Sequence, residues 1–336
     1  MSLRGPSRII TFGTFFIGRS KLEQNKIKAN SWMLKHQPKT LDGYIWQNDA
    51  HKTAFTDMIT NGNIPTHLLL SGVQGTGKTT IADILIRHMP VDQDYDVKRI
   101  NASDENSVDD MRNSIKSFVQ TYATGKFKIV LLDEADGLSV PAQKILRGMM
   151  DEFIDVARFV LTCNYDHRII PMLKSRCMSF KFKSPDPTDV ALYIAGILSK
   201  ENVKTTLDVI DKYVAVNYPD IRKIVQTVQQ HTVDGSLATP TEVDDTSEMK
   251  LQLLEAIENG NWQQARREVC ASAMGESDWE ELYVFLYTNI NKSKTLKDSV
   301  KDSAIVLINE HMDLHTRVAD PEINAAALFI RLSQVM

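Results

Sequence analysis

Gly72-Val73-Gln74-Gly75-Thr76-Gly77-Lys78-Thr79 fits the pattern GxxxxGK[ST] at every fixed position. It lies between an apolar, β-rich run, His67 to Ser71, and a stretch with helical periodicity beginning near Thr79. That strand, loop and helix setting gives the motif its chemistry. Glycines let backbone N–H groups close around phosphate oxygens, and the helix N-terminus adds a favourable dipole. Lys78 is then placed to reach β- and γ-phosphates and the Thr79 hydroxyl to ligate Mg²⁺, with Gly72 through Thr80 forming the cradle.

Outward from this loop, short β-rich runs alternate with helical stretches: Val97 to Asn101, Lys128 to Asp133, Arg158 to Asn164 and Met178 to Phe182. Such alternation predicts a parallel sheet with crossover helices. Its central runs are apolar nearly throughout, as strands buried on both faces should be. Ser184-Pro185-Asp186-Pro187 ends the pattern, and helical periodicity follows. Asp234-Gly235-Ser236 with Pro240 to Asp245 reads as a linker. Thr246 or Ser247 is the expected N-cap of a helix over Met249 to Glu258. A last helix from about Pro321 offers Ile323, Ala326, Ala327, Ile330 and Leu332 for packing. The expected organisation is a basic N-terminal extension (1–28), an α/β nucleotide-binding domain (29–184), a small helical domain (185–235), a linker (236–246) and an all-α C-terminal domain (247–336).

Five further positions carry chemistry. Ile129 to Asp136 is a buried strand ending in adjacent carboxylates; Asp133 is placed to hold Mg²⁺ and Glu134 to polarise an attacking water. Paired acids at a strand end also make ordinary helix caps, and it is the upstream phosphate loop that decides between the readings. Asn164 ends the next strand, as a γ-phosphate or water contact or as a turn residue. Arg176 in Ser175-Arg176-Cys177 is either a surface arginine or a finger inserted into a neighbour's site. Arg222, in Tyr218-Pro219-Asp220-Ile221-Arg222-Lys223, opens a later helix and is either solvated or a nucleotide contact.

Composition bounds the rest. The chain has 336 residues with net charge −4, yet residues 1–184 hold 25 Lys+Arg against 19 Asp+Glu, and residues 185–336 hold 14 against 24. Nucleic-acid contact is therefore open to the front half only. Apolar runs such as Ile129 to Leu132 fall far short of the roughly 20 residues that span a bilayer. Cys163, Cys177 and Cys270 show no metal-ligand spacing, and neither a disulfide nor zinc is expected.

In order and spacing, Gly72 to Thr79, Leu132 to Asp136, Arg158 to Asn164, Ser175-Arg176-Cys177 and Pro219 to Lys223 resemble the AAA+ clamp-loader ATPases. Asn101 to Asn106 and Ala142 to Arg147 look like replication factor C small subunits, and Pro321 to Met336 is more similar to the tailed-phage clamp-loader ATPase subunit. The resemblance implies a three-domain subunit that binds ATP and Mg²⁺. It implies assembly with copies of itself and a second subunit into a pentameric ring, acting on a sliding clamp and primer-template DNA. The place of action would be the replication fork, inside an infected bacterium if the chain is phage-borne. By resemblance, Lys78 and Thr79 bind ATP and Mg²⁺, Asp133 and Glu134 serve Mg²⁺ and hydrolysis, Asn164 is sensor 1, Arg176 the finger in trans and Arg222 sensor 2. Gln143 matches the glutamine that couples DNA contact to the carboxylate strand. Asn106, Ser107, Arg112, Lys116, Lys144 and Arg147 are candidate phosphate contacts on DNA, each equally a solvated helix residue. One departure stands out: Leu34 to Leu41 lacks the Tyr and Arg found before the proline in the family, and the adenine pocket is expected from this segment together with Tyr44 and Ile45. The alternatives are another AAA+ DNA remodeller, such as a branch-migration motor or helicase loader, and a nucleotide-binding scaffold without turnover.

Overall fold

The computed structural model describes residues 31–102, 108–239, 249–254, 261–271, 276–293, 296–315 and 317–335. Residues 1–37 form one unit, whose described part contains the four-residue helix α1 (Trp32–Lys35). The second unit begins at Pro38.

The second unit opens with α2 (Asp49–Thr60), capped by the Asn48 side chain. It continues through β1 (His67–Gly72), α3 (Lys78–Arg87), β2 (Val97–Asn101), α4 (Val108–Val119), β3 (Lys128–Asp133), α5 (Val140–Glu152), β4 (Ala157–Cys163), α6 (Pro171–Lys174) and β5 (Cys177–Phe182). The five strands are parallel in the order β2-β3-β4-β1-β5. Side chains alternate faces along each strand. Leu69, Val130, Leu132, Phe159 and Leu161 meet α4 and α5 on one side. Leu68, Leu70, Ile129, Leu131 and Val160 meet α2 and α3 on the other. Burial on both faces is why β1, β3 and β4 read as unbroken apolar runs, and all the expected strands form within a residue of their anticipated ends.

Asp186 caps α7 (Pro187–Lys200), with Pro187 in the first turn. Helices α8 (Leu207–Asn217) and α9 (Ile221–Gln230) follow, then a hairpin of β6 (Thr232–Val233) and β7 (Ser236–Leu237). The hairpin corrects the expected linker at 236–246. Asp234 and Gly235 take positive φ in its turn, Lys204 pairs with it, and Leu237 is buried, so residues through Ala238 belong to the small helical domain, the lid. Residues 240–248, with the expected caps Thr246 and Ser247, lie outside the described residues.

The C-terminal part holds a helical segment at 249–254, then α10 (Trp262–Ala271), α11 (Glu276–Lys292), α12 (Asp298–His315) and α13 (Pro321–Val335). Trp262, Tyr283, Leu286, Leu328 and Phe329 are among its core. The packing face of α13 also departs from expectation. Ile323 and Ile330 are 69% and 44% exposed, whereas Asn324, Ala325, Leu328, Phe329 and Leu332 are buried. Asn324 is tolerated there because Tyr283 Oη and the His311 carbonyl accept from its amide and the His311 ring bonds its oxygen. Among the described residues no helix is long and apolar enough to cross a membrane.

His67 is buried at the start of β1, where Nδ1 accepts from Phe159 N and Nε2 therefore donates to the Met150 carbonyl. Burial pushes its pKa down to about 4, so the folded state takes up its proton later than the unfolded chain. The stability His67 permits is complete above about pH 6.5 and falls as pH drops toward 4, by up to roughly 3 kcal/mol. His51, also lowered by burial, adds to the same window. Urea unfolding at pH 7.5, 6 and 5 should show this slope, flattened in His67→Gln; a variant with the wild-type slope would locate the dependence elsewhere.

Candidate nucleotide site

The phosphate loop runs from the end of β1 into α3. Two of its glycines are fixed by their neighbours. Gly77 caps α3 in the left-handed region (φ 87°), and a Cβ there would lie 3.0 Å from Tyr44 Cε2. Gly75, with φ 76°, has no room for a Cβ because it would collide with the Asp220 carboxylate. Asp220 is the N-cap of α9, so the lid's last helix begins directly over the loop.

Lys78 is only 7% exposed. Its Nζ donates to Gly72 O (2.9 Å), Val73 O (2.9 Å) and Asn164 Oδ1 (2.8 Å). Burial holds its pKa below the ordinary lysine value, opposed by Asp133 and Asp136 and reinforced by Arg222. The influence of Arg222 brings the expected sensor 2 within electrostatic range of the phosphate loop. Asn164, the expected sensor 1, touches the loop lysine itself. Its backbone N–H and that of Tyr165 donate to Asp136 Oδ2 at 3.2 and 2.9 Å.

The Thr79 hydroxyl lies 3.0 and 3.2 Å from the two oxygens of Asp133. Thr162, in β4, donates to Asp133 Oδ1 through its hydroxyl and accepts from Glu134 N at 3.2 Å. Glu134 follows with φ 56°, its side chain exposed at the mouth of the site. Thr80 and Ile45 are half-buried, while Tyr44 is buried and donates from Oη to Thr76 O at 3.2 Å, anchoring the loop from below. Thr162, Asp136 and Asp220 were not singled out from sequence.

Gln143 is buried at 1% exposure. Its amide donates to Leu138 O and Arg168 O at 3.0 Å each and accepts from Ile170 N at 2.9 Å. It thus joins the segment after Glu134 to the segment after Asn164. Arg176 lies elsewhere. It immediately precedes β5, whose first residue pairs with His67 at the start of β1, and Thr66 Oγ1 donates to its carbonyl. Six residues of β1 separate that end of the sheet from the loop, roughly 17 Å at strand rise. Arg176 therefore cannot reach the phosphate site of its own subunit.

Of the candidate DNA contacts, Asn106 and Ser107 lie outside the described residues. Arg112 and Lys144 are exposed and Lys116 and Arg147 half-buried, on the adjacent helices α4 and α5. The three cysteines are free thiols, and burial pushes Cys163 and Cys177 up to about 12, so neither is a nucleophile at neutral pH.

Residues 68–185 match the model of the ATPase family associated with various cellular activities (AAA). The replication factor C small subunit of Archaeoglobus fulgidus is 34% identical over 83% of this chain and 89% of its own. That of Sulfurisphaera tokodaii is 30% identical over 90% and 94%. The chain belongs to the replication factor C small-subunit family. It is thus an AAA ATPase and a clamp-loader subunit. Replication factor C subunit 2 of Saccharomyces cerevisiae is 28% identical over 82% of this chain and 86% of its own. A solved point mutant of Thermotoga maritima RuvB superposes with TM-score 0.52 at 18% identity, covering 66% of this chain and 79% of that one, a likeness of fold alone.

Thr162→Val keeps the shape of the residue while removing both its bonds around Asp133. Turnover should fall roughly 10- to 100-fold, as for residues supporting a reacting group, and stability by about 1–2 kcal/mol for the hydrogen bond lost at the Glu134 N–H. Steady-state ATPase assays with separate nucleotide-binding measurements check this; undiminished turnover would leave Thr162 a fold residue only.

Proposed function

We propose that this subunit uses ATP binding to open a ring-shaped sliding clamp and set it on primer-template DNA, and hydrolysis to release it. It acts in a pentameric ring of copies of itself with a second kind of subunit. The observation that carries the reading is a division of chemistry. Lys78, Thr79, Asp133 and Asn164 converge on one loop with Glu134 beside them, while Arg176 sits at the far end of the sheet, out of reach of its own phosphate loop, which supports a role in a neighbour's site.

Within this reading Lys78 binds the phosphates and Glu134 orients the attacking water. Asn164 senses the γ-phosphate beside Lys78, and Arg222 approaches from the lid. Tyr44 and Ile45 flank the base. Thr79 and Asp133 offer two hard oxygen ligands, and among the described residues no cluster of three His, Cys, Asp or Glu competes for a metal. That sparse set suits Mg²⁺, which completes its shell with water and substrate phosphate and, when bound, neutralises phosphate charge. Arg176 of one subunit stabilises the transition state in the next. Gln143 relays DNA contact at α4 and α5 to the Asp133–Glu134 segment. The likeness at Pro321 to Met336 favours a tailed-phage origin and action in the cytoplasm of the infected bacterium.

ATP turnover by the purified assembly should rise strongly with primed DNA plus clamp. It should fall about 10²- to 10⁴-fold in Glu134→Gln with ATP binding retained, and about 10³- to 10⁵-fold in Arg176→Ala. Turnover indifferent to the clamp would favour another DNA remodeller, and none under any condition a scaffold. Lys144→Ala should weaken primed-DNA binding alike for all sequences and reduce the log–log salt slope by roughly 0.9; an unchanged slope would remove Lys144 from the DNA face.

A further inference from the structure

The far end of the sheet contains one arrangement that the proposed reading does not use. Asp151, in the last turn of α5, faces Arg176 across 25 residues of sequence. Arg176 Nε donates to Asp151 Oδ1 at 2.6 Å and Nη2 to Oδ2 at 2.8 Å, while Nη1 donates to Met172 O at 2.7 Å. Arginine presents its donors in a rigid planar fork with two usable edges. Here Asp151 takes the Nε/Nη2 edge with both oxygens. At the other edge, Nη1 has one remaining N–H, held among the described residues by Ser175 Oγ at 3.5 Å. The second Nη2 N–H makes no further hydrogen bond among the described residues.

We propose that Asp151 is a positioning residue for the arginine finger, fixing the Arg176 guanidinium by its inner edge and leaving the Nη1/Nη2 edge to receive a phosphate oxygen of the neighbouring subunit. This rests on the reading of Arg176 as a finger in trans. The pair borders a pocket of about 480 Å³ with His67, Met150 and Cys177 in its lining. A guanidinium released from Asp151 has that space to turn into. The hydrogen bonds from Arg176 hold the Asp151 carboxyl below its ordinary range, and Asp151 holds the guanidinium above its own, so the pair stays charged at neutral pH. Because both side chains are substantially solvent-accessible, the pair orients the finger without contributing much to fold stability.

The test uses Asp151→Ala, Asp151→Asn and Asp151→Glu subunits in the full assembly with primed DNA and clamp. Asn has one acceptor oxygen and turns an NH₂ toward the second donor, so Ala and Asn should each lower kcat about 10- to 100-fold, the scale of a misplaced reacting group. Glu should restore part of the rate, and ATP affinity and melting temperature should be unchanged in all three. Assemblies mixing Asp151→Ala with Glu134→Gln subunits should turn over faster than either variant alone. In them an intact finger from one subunit meets an intact carboxylate in the next, which a local fault in the Asp151 subunit's own site would not produce. Turnover unchanged or raised in Asp151→Ala, while Arg176→Ala is inactive and complemented by Glu134→Gln, overturns the role of Asp151 alone. An Arg176→Ala assembly with wild-type turnover overturns the finger reading and this inference with it.

Discussion

Lys78 carries an ammonium into a nearly closed space, and a cation persists there only where acceptors surround it. Gly72 O, Val73 O and Asn164 Oδ1 supply them, so one charge ties the end of β1 to the end of β4. Parallel pairing places Leu70 beside Thr162, and Asn101 beside Asp133 at the β3 tip. Strand register, set by burial of both faces, is therefore what assembles Thr79, Asp133, Thr162 and Asn164 at one rim. A slip of one residue in any of the three central strands would invert its buried face and carry its polar tip away from the others. The geometry of the candidate site and the apolar core are two consequences of one alignment.

That dependence also explains what could be read in the sequence. Gly72 to Thr79 is local: its consecutive residues build the cradle from their own backbone, and the flanking runs announce strand and helix. Asp133, Glu134 and Asn164 were legible because each stands at the polar tip of a long apolar run. Thr162 was not, since a threonine within a strand is what β-propensity alone would put there, and its partner Asp133 is 29 residues away. Asp151 is an acid in the last turn of a helix, and nothing nearby in the chain marks Arg176 as its partner. On α13, apolar identity suggested Ile323 and Ile330 for the core, yet the buried face is chosen by α10 and α12, and a polar Asn324 lies inward because His311 and Tyr283 satisfy it. Asp234-Gly235 signals a turn in either reading; only the burial of Leu237 decides that it closes a hairpin.

Helix α9 gathers three connections within four residues. Asp220 at its N-cap abuts Gly75, Arg222 influences Lys78, and Lys223 Nζ bonds both oxygens of Glu281 in α11 at 2.8 and 2.7 Å. Glu281 also receives Lys250, at 3.3 Å, from the first described helical segment of the C-terminal part. An exposed pair such as Lys223–Glu281 contributes about 0–1 kcal/mol, and alone it would be a weak joint between the lid and the C-terminal helices. Lys250 changes the balance, because it is buried and loss of Glu281 would take a carboxylate away from a desolvated cation. Glu281 is thus held by its contact with Lys250 inside the C-terminal part, and Lys223 exploits a carboxylate already fixed in place. Ile224, Val225 and Val228 bury the same helix in the lid core, so α9 meets the phosphate loop at its N-cap and the C-terminal helices through Lys223, an exposed contact too weak to couple the two by itself.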